Sequence, residues 1–505
     1  MRFPAMVIVG LAVTLSAVAQ GAEPVIQVMA ANEKLTLSVL EKYAPMVETY
    51  LQIVSKSSAA PIEDYYYLHR INVGSAISET QYDPASQHIL PASAFLLLVR
   101  HAPVKFRPSS FVCMLSPDIH GLNPDKYRFV YSHKEFLGEL RTVVYDVQPK
   151  QPGYFRGRIW ITEDGHLVRF MGTFSTDDGP RPPYAHFDSW RVYVPAVGWV
   201  PATTYIEEPL PEGTLHGQIR IWGYDMSRHA ANSSVSMQIN NAIDHTGADV
   251  SPGQALDQWR ELATQNVLER LETAGLLAPP SEIDAILDQI ITNLQVPSGV
   301  AWKEPIHCRI LLTAPITATS IGNTILVSRG LLETVPDEGA LAAVLANELA
   351  QIAQGKPMDT RWSFADRLMF SDRVIFRKLS FAHSPREAAS SAALAAELMD
   401  KSIYHGTFAP SVYYEQMRHR AKGLKSLFHP PIGDSVLSTS GVQQAVPREV
   451  QQRVTARPLG SNIVVDTWSG EVRLRDTREV EMDYPFAVMP IFEWLRPVSN
   501  MAQNQ

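Results

Sequence analysis

Between residues 127 and 223 apolar and polar side chains alternate with a period of two, in short runs broken by turn formers. The runs are Tyr127–Ser132, Glu139–Val147, Tyr154–Thr162, Leu167–Phe174, Ser189–Val194, Trp199–Ile206 and Leu215–Trp222. Between them stand Gln151-Pro152-Gly153, Glu163-Asp164-Gly165, Asp177-Asp178-Gly179-Pro180 and Pro211-Glu212-Gly213. Successive side chains of a strand point to opposite faces, so the stretch predicts an antiparallel meander with one apolar face. Such a face must be covered or offered to a ligand. Upstream, Leu35, Leu40, Tyr43, Val47 and Leu51 recur at spacings of three to five, which predicts a helix over Asn32–Ser55. Tyr65-Tyr66-Tyr67 reads as part of a buried strand or helix face.

Residues His229–Gly253, rich in Ser, Asn, Asp and Gly, read as a linker. Beyond it the pattern changes. Ala255–Ala274 and Pro280–Leu294 are amphipathic helices, His307–Thr313 and Asn323–Ser328 are β-rich, and a helix follows over Pro336–Gln354. Two more β-like runs, Asn462–Trp468 and Gly470–Leu474, precede an apolar tail ending in Met489-Pro490-Ile491-Phe492-Glu493-Trp494-Leu495. The predicted fold class is α+β in two domains: an N-terminal antiparallel β meander and a C-terminal, mainly helical domain with a small edge-stranded sheet.

The first 19 residues, MRFPAMVIVGLAVTLSAVA, combine a positive Arg2, a short apolar run and small residues at Ala17-Val18-Ala19. That is the pattern of a cleaved export signal, and the apolar run is too short for a comfortable transmembrane helix. The expected organisation is a signal peptide over 1–22, an N-terminal helix plus meander over 23–228, a linker over 229–254, a second domain over 255–435 and an extension packed on it over 436–505. The expected location is exported, periplasmic or secreted. The 505 residues have 44 Lys and Arg against 52 Asp and Glu, a net charge of −8. That charge argues against nucleic acid as a partner. Two cysteines, Cys113 and Cys308, exclude a disulfide scaffold and a four-cysteine zinc site.

Two stretches resemble known families. The segment ELRTVVYDVQPKQPGYFRGRIWITEDGHLVRFMGTF (Glu139–Phe174) looks like the open β half-barrel of periplasmic lipoprotein carriers and sigma-factor regulatory proteins. The segment TILVSRGLLETVPDEGALAAVLANELAQIAQGK (Thr324–Lys356) resembles the zinc metallopeptidases of the CAAX prenyl protease and HtpX type. In that family an edge strand ending in Gly-Leu-Leu precedes an acidic turn and a helix carrying H-E-x-x-H. Here Gly330-Leu331-Leu332, Pro336-Asp337-Glu338 and the helix follow in the same order, and the resemblance runs from about Ala255 to Pro431. It implies a metallopeptidase-like second domain.

Two histidines four apart on a helix can reach one metal ion, and the glutamate after the first can deprotonate a metal-bound water. This chain has Asn347-Glu348-Leu349-Ala350-Gln351 there. Glu348 keeps the general-base position, while amides at Asn347 and Gln351 replace the ligands. Zinc prefers imidazole, thiolate or carboxylate. Without a metal, water keeps a pKa of about 15.7 instead of about 7. The resemblance places a third ligand, a glutamate in E-x-x-x-D, within Ser384–Ala393. One register retains Glu387 and puts Ser391 at the aspartate; another puts Ala389 and Ala393 there and retains nothing. His429-Pro430-Pro431 is either the family's His-Pro element or a surface loop with a proline stop.

Three functions follow as expectations. The first is a catalytically inactive pseudopeptidase that binds envelope proteins or peptides, with no cofactor, its groove formed by the edge strand Asn323, Thr324, Ile325, Leu326, Val327 and Ser328 through β-augmentation. The second is an active zinc metalloendopeptidase with a non-standard metal site. The third is a lipid or lipoprotein carrier acting through the N-terminal half-barrel.

Overall fold

The computed structural model describes residues 24–56, 61–81, 115–174, 186–224, 252–355, 362–364, 372–437 and 463–474, apart from brief gaps within them. The signal segment, most of the linker, Cys113 and the apolar tail lie outside the described residues.

The chain opens with a helix, α1 (24–38). It does not continue to Ser55, as the spacing of Val47 and Leu51 suggested; Met46–Ser55 is a strand, β1. Pro45 accounts for the change, since it disfavours helical geometry at the residue before it. Thereafter Val47, Thr49, Tyr50, Ile53 and Val54 supply β-branched and aromatic side chains. β1 is buried on both faces over its first eight residues, which removes the period-two signal. The tyrosine run lies in β2 (Pro61–Val73), and Tyr65, Tyr66 and Tyr67 are all buried.

The meander follows as β3 (Ile77–Gln81), β4 (Tyr127–Leu137), β5 (Leu140–Pro149), β6 (Phe155–Thr162), β7 (Leu167–Phe174), β8 (His186–Val194), β9 (Gly198–Pro209) and β10 (Gly213–Trp222). The sheet order is β3-β2-β1-β10-β9-β8-β7-β6-β5-β4, and each neighbouring pair from β4 to β10 is antiparallel. The sheet is open, with β3 and β4 at its edges.

The second half contains α2 (Pro252–Thr273), α3 (Glu282–Gln295), β11 (His307–Leu311), β12 (Thr317–Ile321), β13 (Thr324–Ser328), α4 (Arg329–Thr334), α5 (Glu338–Ala353), α6 (Asp372–Lys378), α7 (Pro385–Lys401), α8 (Ala409–Arg420), α9 (Lys425–Phe428), β14 (Asp434–Ser435) and the hairpin β15 (Ile463–Val465)–β16 (Val472–Leu474). Its sheet has the order β11-β13-β12-β14, mixed parallel and antiparallel. The architecture is α+β. Two compact units are present: Met1–Thr49, Ile71–Glu79 and Leu90–Ile221 form one, and Tyr50–Arg70, Thr80–Ile89 and Trp222–Gln505 the other. Among the described residues no helix is long and apolar enough to cross a membrane.

Candidate functional site

Helix α5 begins at an Asp337 side chain that accepts a hydrogen bond from Ala340 N at 2.8 Å, satisfying one of the free N–H groups of its first turn. The acidic turn read from the sequence is therefore a helix cap. Beyond it, Leu341, Val344, Leu345 and Leu349 form the apolar stripe, but Ala342, Ala343, Ala346 and Ala350 are buried too. The helix has no solvated side along this stretch.

Asn347, Glu348 and Gln351 each expose only 1% of their surface. Asn347 Nδ2 donates to Ala343 O at 2.9 Å, one turn back, and lies 3.5 Å from the Tyr414 hydroxyl of α8. Burial pushes the Tyr414 phenol well above its ordinary range, and it stays protonated. Asn347 Oδ1 and both polar atoms of Gln351 have no hydrogen-bond partner. Cys308 of β11 is a buried free thiol, pushed up by burial and then by the nearby carboxylates Asp288, Asp284 and Glu348.

These residues do not fit zinc. Asn347 and Gln351 are neutral amides, the Asn347 nitrogen is already bonded to its own helix, and a hydrolytic water would need access that 1% exposure does not provide. Among the described residues no three His, Cys, Asp or Glu side chains gather as a metal site.

The helix proposed to carry the third ligand is α7, which runs antiparallel to α5. At one end Gln354 Nε2 donates to Ser390 O at 2.9 Å, and the Ser390 and Ser391 hydroxyls donate to Gln354 Oε1, each at 3.2 Å. Just beyond the other end of α7, Tyr404 Oη donates to Glu338 Oε1 at 2.5 Å. Ser391 is buried, and Ala393 is exposed. Position 387 lies one helical turn before Ser391 along α7, further from the level of Asn347. At a rise of about 1.5 Å per residue, the pairing separates it from the level of Gln351 by roughly 10 Å. The structure thus joins Asn347, Glu348 and Gln351 on one helix and leaves position 387 apart. His429 is exposed, its Nδ1 2.8 Å from Lys425 O.

The strand expected to form the groove is not an edge. β13 pairs in parallel with β11 and antiparallel with β12, so its backbone groups are taken on both sides. The missing piece was β12, whose residues Thr317–Ile321 were not read as a strand. The outer side of β11 is also engaged: Ala278 N donates to Ile310 O and Leu312 N to Leu276 O, both at 2.8 Å, and Cys308 N donates to Asp288 Oδ1 at 2.9 Å. A peptide has no strand to extend there.

Two further constellations escaped the sequence reading. In the first unit, Phe155, Phe170, Phe174 and Phe187 of β6, β7 and β8 pack ring against ring at centroid distances of 5.6–6.3 Å. Helix α1 covers this face. Glu33 pairs with both terminal nitrogens of Arg191, and Asn32 Nδ2 donates to Gly165 O at 2.8 Å. Gly165 has φ +85°, and a Cβ there would stand 2.6 Å from Val28 Cγ1, so glycine is what lets the helix settle. The alternation announced the apolar face; nothing local announced its cover.

In the second unit, Asp64 of β2 accepts from Ser426 N at 2.9 Å through Oδ1, and from Leu427 N at 3.1 Å and Tyr50 Oη at 3.3 Å through Oδ2. Its carbonyl accepts from Ser426 Oγ at 3.1 Å. Burial nevertheless raises its carboxyl from 3.8 to about 6, outweighing the bonds from Ser426, Leu427 and Tyr50 that favour the anion.

No protein-family model matches the sequence, and no curated protein matches it. Among solved structures the chain is similar to a putative outer membrane lipoprotein-sorting protein domain from Vibrio parahaemolyticus, at 13% identity and a TM-score of 0.23, over 40% of this chain and 91% of that one. It is similar to a LolA superfamily protein from Nitrosomonas europaea, at 13% identity and a TM-score of 0.22, over 37% and 90% of the two chains. A DUF1329 family protein from Desulfovibrio piger aligns at 11% identity and a TM-score of 0.20, over 38% and 90%. Scores this low leave the fold assignment resting on the strand order itself.

Proposed function

We propose that the chain is an exported protein that works by binding, and that its second half is a metallopeptidase-like domain without peptidase chemistry at α5. One observation carries this reading: at the two ligand-equivalent positions stand amides, Asn347 and Gln351, sealed inside the helix packing. Glu348 is then a vestigial base, and Glu387 a vestigial ligand on a separate turn. The order of β13, the Gly330-Leu331-Leu332 segment within α4, the Asp337 cap and α5 supports the family resemblance. In this reading residues 1–22 are the export signal, 23–228 and 255–435 the two functional domains, 229–254 their linker and 436–505 an extension. The partner is a protein or peptide of the envelope, and its dock lies elsewhere than β13. A second reading, carriage of a lipid or acyl group by the half-barrel, is favoured by the phenylalanine cluster on the face under α1.

The test is metal content and proteolysis of the purified full chain. The expected result is zinc far below one equivalent and no chelator-sensitive cleavage of casein. Stoichiometric zinc with chelator-sensitive cleavage overturns the proposal. Mass spectrometry of the native protein checks the second reading, which predicts a co-purifying lipid that is absent after delipidation.

A further inference from the structure

Edge strand β4 carries a polar chain that the reading above does not use. Strand alternation places His133 and Glu135, two residues apart, on one side of β4, and by the same rule assigns Ser132 to the other. The ladder to β5 slips here: Tyr131 pairs with Tyr145 and His133 with Val144, leaving Ser132 as an extra residue without a partner. A bulge of this kind re-aims a side chain. Ser132 Oγ lies 2.9 Å from His133 Nδ1, and His133 Nε2 lies 3.2 Å from Glu135 Oε2. Trp160 Nε1 donates to the other carboxylate oxygen, Oε1.

Hydroxyl, imidazole and carboxylate, each within hydrogen-bond reach of the next, are the parts that turn a serine into a nucleophile. The Trp160 bond, first, holds the Glu135 carboxyl below the usual carboxylate range, with His133 and Arg169 acting in the same direction against burial. The carboxylate is thus an anion at neutral pH, suited to stabilising an imidazolium. Among the described residues β4 has no neighbouring strand on its outer side. Alternate backbone N–H groups of an edge strand point outward, where they can receive an oxyanion. The His133 and Glu135 side chains are 43% and 37% exposed, within reach of a ligand. On the same side of the strand Leu137 packs against Val144, Trp160 and Val168, apolar surface suited to an uncharged acyl group.

We propose that Ser132, His133 and Glu135 form an acyl-transfer site for small, neutral carboxylic esters, separate from α5 and independent of the binding role above. Ser132 Oγ attacks the ester carbonyl carbon while its proton passes to His133 Nδ1. Collapse of the tetrahedral adduct breaks the bond from the carbonyl carbon to the alkoxy oxygen. The leaving alkoxide takes the proton from His133, giving the alcohol and an acyl-Ser132. Water, deprotonated by the same imidazole, attacks the acyl carbon; the bond to Ser132 Oγ breaks, the proton returns to that oxygen, and the carboxylic acid leaves. Glu135 is a positioning residue that selects the imidazole tautomer with its proton on Nε2, and Trp160 holds Glu135.

The full chain is treated with a fluorophosphonate probe, its peptides are mapped by mass spectrometry, and hydrolysis of p-nitrophenyl acetate is followed across pH. The expected adduct is on Ser132. Ser132→Ala and His133→Gln should each lower the enzymatic rate about 100-fold, the scale of a general-base contribution. Glu135→Gln should move the inflection of the rate–pH curve to lower pH, and Glu135→Asp should restore part of the rate. An unlabelled Ser132, whether or not other serines react, overturns the proposal. So does a Ser132→Ala rate equal to that of the unaltered chain.

Discussion

Asp64 gives the sharpest quantitative test. Its carboxyl, about 6 in the folded chain against 3.8 without the surroundings, holds its proton more tightly in the native state. Between pH 4 and 6 the folded protein therefore binds more protons than the unfolded one, and stability declines as pH climbs through that window. Below it both states are protonated and above it both are ionised, so the contribution is level on either side. The displacement corresponds to on the order of 3 kcal/mol. Other carboxylates titrate in the same range, so the measurement is a difference between the native chain and Asp64→Asn, which cannot ionise. Urea unfolding followed by circular dichroism at pH 4.5, 5.5, 6.5 and 7.5 should show the native chain losing stability relative to the variant as pH rises. Most of the change should fall between the first and third points. A difference that stays constant across the four values refutes the reasoning, because it means that the bonds from Ser426, Leu427 and Tyr50 offset the loss of solvent.

Three substitutions probe the rest of the structure, each read by urea unfolding. Gln351→Met removes a buried amide with no partner for a side chain of similar volume, and should stabilise the chain by about 1–2 kcal/mol; a loss of more than about 1 kcal/mol would mean that the amide is bonded. Gly330→Ala places a Cβ 1.7 Å from Ala314 O, backbone that cannot yield cheaply, and should cost about 3 kcal/mol or more. A near-neutral result there would show that α4 can shift. Glu33→Ala strands Arg191, 7% exposed, without its bidentate partner, and should cost about 3–5 kcal/mol. The double replacement of Glu33 and Arg191 by methionine should cost less than Glu33→Ala alone, and a larger loss contradicts the desolvation argument.

The meander was readable because alternation is written residue by residue: every strand from Tyr127 to Trp222 follows from side chains whose faces are set by the backbone alone. Helix α5, the acidic turn that starts it and the amides at Asn347 and Gln351 were legible for the same reason, since each depends only on neighbours within a turn. What the local pattern could not express was pairing. β1 is buried on both sides and lost its period, β12 went unread, and β13 became a central strand once β12 folded back on it. The distance between position 387 and Gln351 depends on how α7 lies along α5, and the bonds of Gln354 to Ser390 and Ser391 decide that. The Ser132–His133 contact sits where the ladder to β5 slips by one residue, a slip that only the pairing of the two strands defines. Sequence periodicity reports which side of an element a residue occupies; which element meets that side depends on long-range burial and hydrogen bonding, and those exist only in the folded chain.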